Sequence, residues 1–280
     1  MNLINKTVRH RILGEGTITD IQDRVVFIRF GEELKKFAFP DAFSKHLNLE
    51  DKKCKTYVDN LLAEYNKEAE LLRKKEQQEI EKRRLHAKLP LNDNSQAAFG
   101  FIYNDRQKVL QDWTVTTGTY LSGSNFGKPR VASDIYPNTA CILTCLDKGE
   151  PEENRYIWGL FMVQDDFVGS ECTDGIIPAH PDYRLELSDE RKDRFLFWRY
   201  FEPPVAGKKP SWGSKEFRYV SNWKTAHLLL DIYSVAQEPE KQLSRDFFEY
   251  FCRLNKFNSE VLISHLQKKK NISGGYYVYP

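Results

Sequence analysis

Acidic and histidine side chains gather in the segment from residue 165 to residue 182. Asp165, Asp166 and Asp174 precede His180 in a stretch that also contains glycine and proline. Carboxylates and one imidazole can hold a divalent ion and activate a bound water, as a metal-dependent hydrolase or transferase requires. Aspartate is also common in turns, where its side chain bonds to nearby backbone amides. Both interpretations stay open, and we assign no metal or cofactor to the chain.

The chain lacks the motifs of several large enzyme classes. It contains no glycine-rich phosphate loop followed by a helix, no Gly-x-Ser-x-Gly elbow and no His-Glu-x-x-His sequence. Its five cysteines include no Cys-x-x-Cys pair, which disfavours a zinc site and is typical of reduced thiols. We therefore expect a non-catalytic protein, with the acidic segment as the enzymatic alternative.

Aromatic, amide and basic residues in the C-terminal half could form a nucleic-acid site. Rings stack on bases, amides bond to base edges, and lysine or arginine neutralises phosphates. Trp158 lies in an apolar run and belongs to the core, whereas Trp212 lies in a polar loop, where we expect an exposed indole. The predicted ligand-binding residues are Trp113, Thr116, Asn125, Arg130, Trp198, Trp212, Asn222 and Trp223, and the predicted phosphate contacts are Lys128, Arg199, Arg218, Lys35 and Lys36.

The first 49 residues predict a small, bent β-barrel. Val25–Phe30 is a β-branched and aromatic run, and Leu34–Phe39 alternates apolar and basic residues. Gly14 and Gly16 fit a tight turn or bulge between strands. The barrel therefore carries basic and aromatic groups on short strands.

Residues 50–94 predict a charged linker, most of it a single helix over residues 50–89. Lysine and glutamate alternate along it, and Glu70 and Lys74 stand four residues apart in the favourable order. The thin apolar stripe breaks at Glu76. The pattern favours a solvated spacer, with a weak dimer through a short coiled coil as the alternative.

Residues 95–280 predict a larger mixed α+β domain. A turn is expected at Pro203-Pro204, and a final strand or tail over residues 273–280. The predicted strands are Trp113–Thr117, Ala140–Leu146, Tyr156–Val163, Tyr183–Leu187 and Phe217–Ser221, and the predicted helices are Thr225–Val235, Ser244–Asn255 and Leu262–Lys270.

Two resemblances follow from these patterns. Leu13-Gly14-Glu15-Gly16-Thr17-Ile18, Val26-x-Ile28-x-Phe30 and Lys35-Lys36-Phe37 resemble the SH3- or Tudor-like barrels of DNA-repair helicases and RNA-polymerase-binding factors. That resemblance implies docking to a protein, RNA polymerase among the possibilities, or to nucleic acid.

The second resemblance covers about half of the chain. The early tryptophan strand, the hairpin that ends in Arg155–Val163 and the strand Tyr183–Leu187 are similar to the PUA-like group, which includes EVE, ASCH and YTH domains. That resemblance implies a pocket in which a flipped, unpaired or modified base lies between aromatic rings.

Composition limits these expectations. The 280 residues are 40% hydrophobic and 29% charged, which allows two domains with sizeable cores. The net charge of only +2 means that nucleic-acid binding must rely on a local patch. No apolar run reaches the length of a membrane span and no signal-peptide core is present, so we expect a cytoplasmic protein. The chain also resembles uncharacterised bacterial proteins, which implies a bacterial source. The predicted protein is α+β: an SH3-like barrel (1–49), a helical linker (50–94) and a PUA-like domain with extra C-terminal helices (95–280). Its predicted function is nucleic-acid recognition, with a protein-docking adaptor as a further alternative.

Overall fold

Contacts between residues divide the chain into two units. A computed structural model describes residues 1–102, 106–202 and 209–270. The units are Met1–Glu81 and Lys82–Pro280. Their division falls inside a long helix. The predicted domain boundaries after residues 49 and 94 stay a prediction. The predicted turn at Pro203-Pro204 and the predicted final strand over residues 273–280 lie outside the described residues.

The first unit contains a five-stranded antiparallel sheet, which confirms the predicted N-terminal β-structure. The strand order is β4-β3-β2-β1-β5. The elements are β1 (Thr7–His10), β2 (Gly14–Gln22), β3 (Val25–Phe30), β4 (Glu33–Ala38), the short helix α1 (Ala42–Lys45) and β5 (Leu47–Leu49). Val26, Ile28 and Phe30 are buried because alternate residues of a strand share a face. Gly16 is required beside them, since a Cβ there would lie 2.7 Å from the Phe30 ring.

A 36-residue helix, α2 (Lys52–Ala87), follows the sheet and confirms the predicted long helix. Cys54, Val58 and Leu62 recur every four residues and are buried in the core of the first unit. Leu71 and Leu72, farther along, are more than half exposed. The predicted weak dimer through this helix stays a prediction.

The second unit contains a curled, six-stranded mixed sheet, which confirms the predicted α+β class. Its strand order is β11-β6-β8-β9-β10-β7, and only the β6–β8 pairing is parallel among the pairings of the described strands. The strands are β6 (Gln96–Ile102), β7 (Thr114–Thr116), β8 (Ala140–Leu146), β9 (Tyr156–Val163), β10 (Ile176–Glu186) and β11 (Phe217–Val220).

Both faces of this sheet are covered. In β9, Trp158 and Phe161 join the core inside the curl, whereas Leu160 and Met162 join the core under the helices. The helices are α3 (Arg106–Asp112), α4 (Phe197–Tyr200), α5 (Asn222–Val235), α6 (Glu240–Leu254) and α7 (Ser259–Lys270). A strand buried on both sides needs apolar residues at every position, which explains the uninterrupted sequence of β9.

The segment between β7 and β8 links the two edges of the curled sheet. At the β7 edge, the Thr117 amide donates to the carbonyl of Gly175. Toward the β11 edge, the Asp134 amide donates to the hydroxyl of Tyr219. The segment also contributes Ile135 to the inner core. No described helix combines the length and the apolar character that a bilayer span demands.

Candidate functional site

Residues 118–130, which we call the finger, follow β7 and fold into a narrow loop. The Tyr120 amide donates to the Lys128 carbonyl at 3.0 Å, and the Gly127 amide donates to the Tyr120 carbonyl at 2.9 Å. Gly123 and Gly127 have φ values of 81° and 76°, which side chains disfavour. The finger is therefore shaped by its own backbone hydrogen bonds.

The tip of the finger exposes two large apolar side chains. Phe126 is 71% exposed and Leu121 is 66% exposed. Asn125 and Lys128, two residues predicted from the sequence, flank Phe126 and are also exposed. Exposed apolar groups that lie together often mark a contact surface. The finger thus presents an aromatic ring, an amide and an ammonium group on one loop.

Glu216 connects the root of the finger to β11. Its carboxylate lies 3.6 Å from the Arg130 guanidinium, and the Arg130 Nε donates to the Thr119 carbonyl at 2.9 Å. A Cβ on Gly118 would meet the Glu216 side chain, so glycine is needed at this contact. The buried Oε2 atom of Glu216 has no hydrogen-bond partner in the described part of the chain.

An open cleft of ≈ 580 Å³ lies beside the root of the finger, because Glu216 contributes to both. Loop residues 210–216 line the cleft together with Gly100 and Phe101 of β6. Phe101 is half-buried, and Lys215 is exposed. The cleft therefore offers one accessible ring together with charged and backbone polar groups.

A buried ion pair fixes one wall of this cleft. Arg155 is 6% exposed, and its guanidinium donates to the Glu152 carboxylate and to the Thr144 hydroxyl. Trp198 Nε1 also donates to Glu152, at 3.3 Å. These groups fill one another's hydrogen-bonding capacity. The Arg155–Glu152 pair therefore shapes the cleft and fixes the position of its wall.

The expectation that Trp212 is an exposed loop aromatic is wrong. Its side chain is 8% exposed, and its Nε1 donates to the Lys215 carbonyl at 2.8 Å. The indole packs edge-on against Phe197 and directly over Gly100, where a Cβ would lie 2.4 Å from the ring. Trp212 anchors its loop to the sheet because Gly100 leaves room for it.

Arg218 and Trp198 belong to the same packed cluster. The Arg218 guanidinium lies 4.8 Å from the centre of the Trp212 ring and 5.3 Å from that of Trp198. It also donates to the Trp212 carbonyl at 2.7 Å, and burial lowers the pKa of Arg218. Trp198 is only 9% exposed. Arg218 and Trp198 therefore contact other residues of the protein. Phosphate binding was predicted for Arg218 and base stacking for Trp198, so their observed contacts differ from the predicted ones.

Asn222, another predicted ligand contact, is part of a buried amide network. Its Oδ1 accepts from the Ser95 amide at 2.9 Å, and its Nδ2 donates to Asn255 Oδ1 at 3.2 Å. The side chain is 6% exposed. Its polar atoms are therefore committed to joining the start of β6 to helices α5 and α6.

The other predicted residues of the second unit lie apart from one another. Trp223 is 51% exposed and follows β11 at the end opposite Glu216. Thr116 is exposed at the end of β7, just before the finger. Trp113 is half-buried against the inner core, and Arg199 donates to a neighbouring carbonyl. Thr116 alone of these four adjoins the finger in sequence.

The two basic residues predicted in the first unit lie side by side on β4. Lys35 forms an ion pair of 2.7 Å with Glu33. Lys36 is exposed, with its ammonium group 5.3 Å from the centre of the Phe27 ring. Their predicted role as phosphate contacts stays a prediction.

Asp165 and His180, two of the four residues of the metal-dependent alternative, are in contact within a hydrogen-bonded network. Asp165 accepts from Lys82 Nζ at 2.7 Å and from the Tyr250 hydroxyl at 2.7 Å. Its oxygens also lie 2.9 Å from His86 Nε2 and 3.2 Å from His180 Nε2. Burial alone would raise the pKa of Asp165, but these hydrogen bonds outweigh it and hold the pKa well below its usual range.

The network leaves His180 no free ring nitrogen. Its Nδ1 accepts from the Asp182 amide at 3.1 Å, so its proton lies on Nε2, toward Asp165. Asp166 and Asp174 instead accept hydrogen bonds within their own turns. In the described ranges, no group of three or more histidine, cysteine, aspartate and glutamate side chains could hold a metal ion.

The sequence interpretation overlooked Phe126, Phe101 and Glu216. A signal existed for Phe126, since it stands between Asn125 and Gly127 in a glycine- and serine-rich turn, where a core position is improbable. Nothing comparable marks the other two residues, because their place in the cleft depends on contacts between distant segments.

Comparison of the chain with protein-family models, with curated proteins and with solved structures gives no significant match.

Proposed function

We propose that the second unit binds nucleic acid and takes an unpaired or flipped base into the cleft beside the finger. The observation that carries this proposal is the finger, an ordered loop that presents Phe126 to solvent between Asn125 and Lys128. An apolar wedge of this kind can enter a base step and offset the cost of unstacking, which is a few kcal/mol.

The composition of the finger suits each part of a nucleic-acid ligand. Phe126 can stack on a base, a contact that contributes about 1–3 kcal/mol. Asn125 offers the paired donor and acceptor that base edges require. Lys128 supplies a positive charge for the backbone, whose phosphates dominate affinity.

The cleft supports the second half of the proposal. Its volume of ≈ 580 Å³ is within the range of small-molecule sites. Phe101 supplies a ring, and the Glu216 carboxylate, which is paired with Arg130 at 3.6 Å, lines the cleft as an acceptor for an amino or imino group of a base. Glu216 also contacts the root of the finger. The cleft that would accept a base displaced by Phe126 therefore adjoins the same loop.

The first unit provides a second, weaker contact in this proposal. Its five-stranded antiparallel meander, in which β5 returns to pair with β1, supports the SH3-like interpretation. Lys35 and Lys36 would touch the backbone there. Two tethered weak sites bind more tightly than either site alone.

Titration of labelled oligonucleotides tests the proposal. Fluorescence anisotropy is measured with single-stranded DNA, single-stranded RNA and duplex DNA at several salt concentrations. We expect Lys128→Ala to weaken binding to a similar degree for every sequence and to lower the slope of log affinity against log salt by about 1. Lys148→Ala is the matched control, because Lys148 is exposed in a turn remote from the finger in sequence.

Two results would overturn the proposal. One is the absence of binding to all three probes at low salt. The other is an equal loss in the two lysine variants, since the contact would then be unspecific surface charge.

A further inference from the structure

A second cleft, of ≈ 570 Å³, lies between α6 and an irregular part of β10, and we call it the tyrosine cleft. Here β10 advances from Ala179 to Arg184 while β9 advances only from Val163 to Phe161. The three extra residues of this bulge move His180, Asp182 and Tyr183 out of the ladder, as bulges beside functional sites often do. The cleft is lined by Asp182, Tyr183, Leu243, Asp246, Glu249, Tyr250 and Arg253.

Two stacked tyrosines form the aromatic wall of the tyrosine cleft. The rings of Tyr183 and Tyr250 are 3.9 Å apart and nearly parallel. Tyr250 is held from behind by its hydrogen bond to Asp165. The Tyr183 hydroxyl, by contrast, has no hydrogen-bond partner among the residues that the structure describes. A fixed ring pair and one unused hydroxyl are thus available to a ligand.

The charges around these rings favour a cation. Glu249 is already paired with Arg245 at 2.8 Å, and Asp246 accepts only a neutral amide bond from Gln242. Asp182 is 78% exposed and lies 4.0 Å from the ring of His180. Two carboxylates, one from the bulge and one from α6, therefore border the tyrosines, and neither forms a salt bridge with a lysine or arginine among the residues that the structure describes.

The protein already places one cation on this aromatic surface. The Arg253 guanidinium lies 5.1 Å from the centre of the Tyr250 ring. Such a contact contributes about 0.5–1 kcal/mol at an exposed site, and more when water is excluded. The same ring pair can accept a second guanidinium or ammonium group near Asp182 and Asp246.

The shape of the cleft points to an extended ligand. Its α6 side runs from Leu243 to Arg253, which is about 15 Å at a rise of 1.5 Å per residue. An extended peptide of about four or five residues covers that length at ~3.3 Å per residue. We infer that the tyrosine cleft binds a basic, extended segment of a partner protein, with an arginine or lysine side chain against the tyrosines.

The test uses the full chain and two labelled heptapeptides, Gly-Arg-Pro-Arg-Pro-Arg-Gly and Gly-Glu-Pro-Glu-Pro-Glu-Gly. We expect the basic peptide to bind and the acidic one not to bind. The double charge reversal Asp182→Lys with Asp246→Lys should weaken binding about tenfold or more, since it replaces two attractions by two repulsions. The matched control reverses two exposed carboxylates elsewhere in the second unit, Asp112→Lys with Glu190→Lys, and should bind like the original chain.

Tyr183→Phe keeps the ring and removes the unused hydroxyl, so a smaller loss than that of Tyr183→Ala supports a role for both parts. Equal binding of the two peptides, or equal losses in the two charge reversals, would overturn the inference. So would spermidine displacing the peptide at an equal concentration, because the cleft would then be a site for small amines. Oligonucleotide binding is measured separately, so failure here leaves the proposed function untouched.

Discussion

Asp165→Asn removes one charge from the network that joins the end of α2 to β10 and α6. The carboxylate interacts with two donors at 2.7 Å, Lys82 and Tyr250, and with two histidines at 2.9 and 3.2 Å. A hydrogen bond to a charged group contributes about 1.5–3 kcal/mol, and asparagine keeps part of this as neutral bonds. Because the Asp165 side chain is 28% exposed, the loss stays below the 3–5 kcal/mol typical of a fully buried pair.

We therefore expect Asp165→Asn to lower the free energy of unfolding of the second unit by about 1.5–3 kcal/mol at pH 7. Urea unfolding followed by tryptophan fluorescence measures this quantity directly. All five tryptophans, from Trp113 to Trp223, belong to the second unit. The signal is therefore specific to the unit that contains the network.

Asp166→Asn is the matched control for this experiment. Asp166 is exposed and bonds only to a neighbouring glutamine in the described structure, so its change should stay within about 0.5 kcal/mol. A loss below about 0.5 kcal/mol for Asp165→Asn, or equal losses in both variants, would refute the reasoning that the network stabilises the fold.

Three further predictions concern single contacts. Gly100→Ala should lower the unfolding free energy by about 1–3 kcal/mol, because its Cβ would meet the Trp212 indole at 2.4 Å. Urea unfolding measures this loss, and an unchanged midpoint would contradict the contact. Trp212→Ala should lower the same quantity by about 3–5 kcal/mol, since the ring is 8% exposed; a melting temperature like that of the original chain would mean that the ring is accessible after all. Asp51 should titrate at a pKa of about 2 by NMR, because hydrogen bonds from Lys6 and from α2 backbone amides lower it from 3.8. Its contribution to stability is therefore present above pH 3.8 and is lost as the pH falls toward 2, and Lys6→Ala should raise this pKa; a midpoint near 3.8 in the original chain would contradict the interaction.

Strands buried on both faces were predictable because their sequences are uninterrupted apolar runs. Ala140–Leu146 and Tyr156–Val163 match β8 and β9 residue for residue. β6 was missed, since its Gln-Ala-Ala-Phe-Gly-Phe-Ile sequence contains only one β-branched residue. β10 starts earlier than predicted. Pro178 and Pro181 suggested a loop, but Pro178 pairs with the edge strand β7 and Pro181 lies in the bulge, where a strand tolerates proline.

The candidate site was predictable only where it is local in sequence. Asn125 and Lys128 lie together on the finger because only two residues separate them in one turn. The burial of Trp212 depends on Gly100, 112 positions away (212 − 100), and a glycine inside a strand was the one available signal. The network around Asp165 draws on four separate segments, so composition and spacing could not reveal it.

The most direct test of the central claim compares a duplex with one unpaired base and the same duplex fully paired. We expect the full chain to prefer the unpaired-base duplex, and Phe126→Ala to reduce this preference by about fivefold or more, equivalent to the ~1 kcal/mol of one stacking contact. The melting temperature should stay unchanged, because Phe126 is 71% exposed. Equal affinity for the two duplexes, or a preference that survives in Phe126→Ala, would contradict the account.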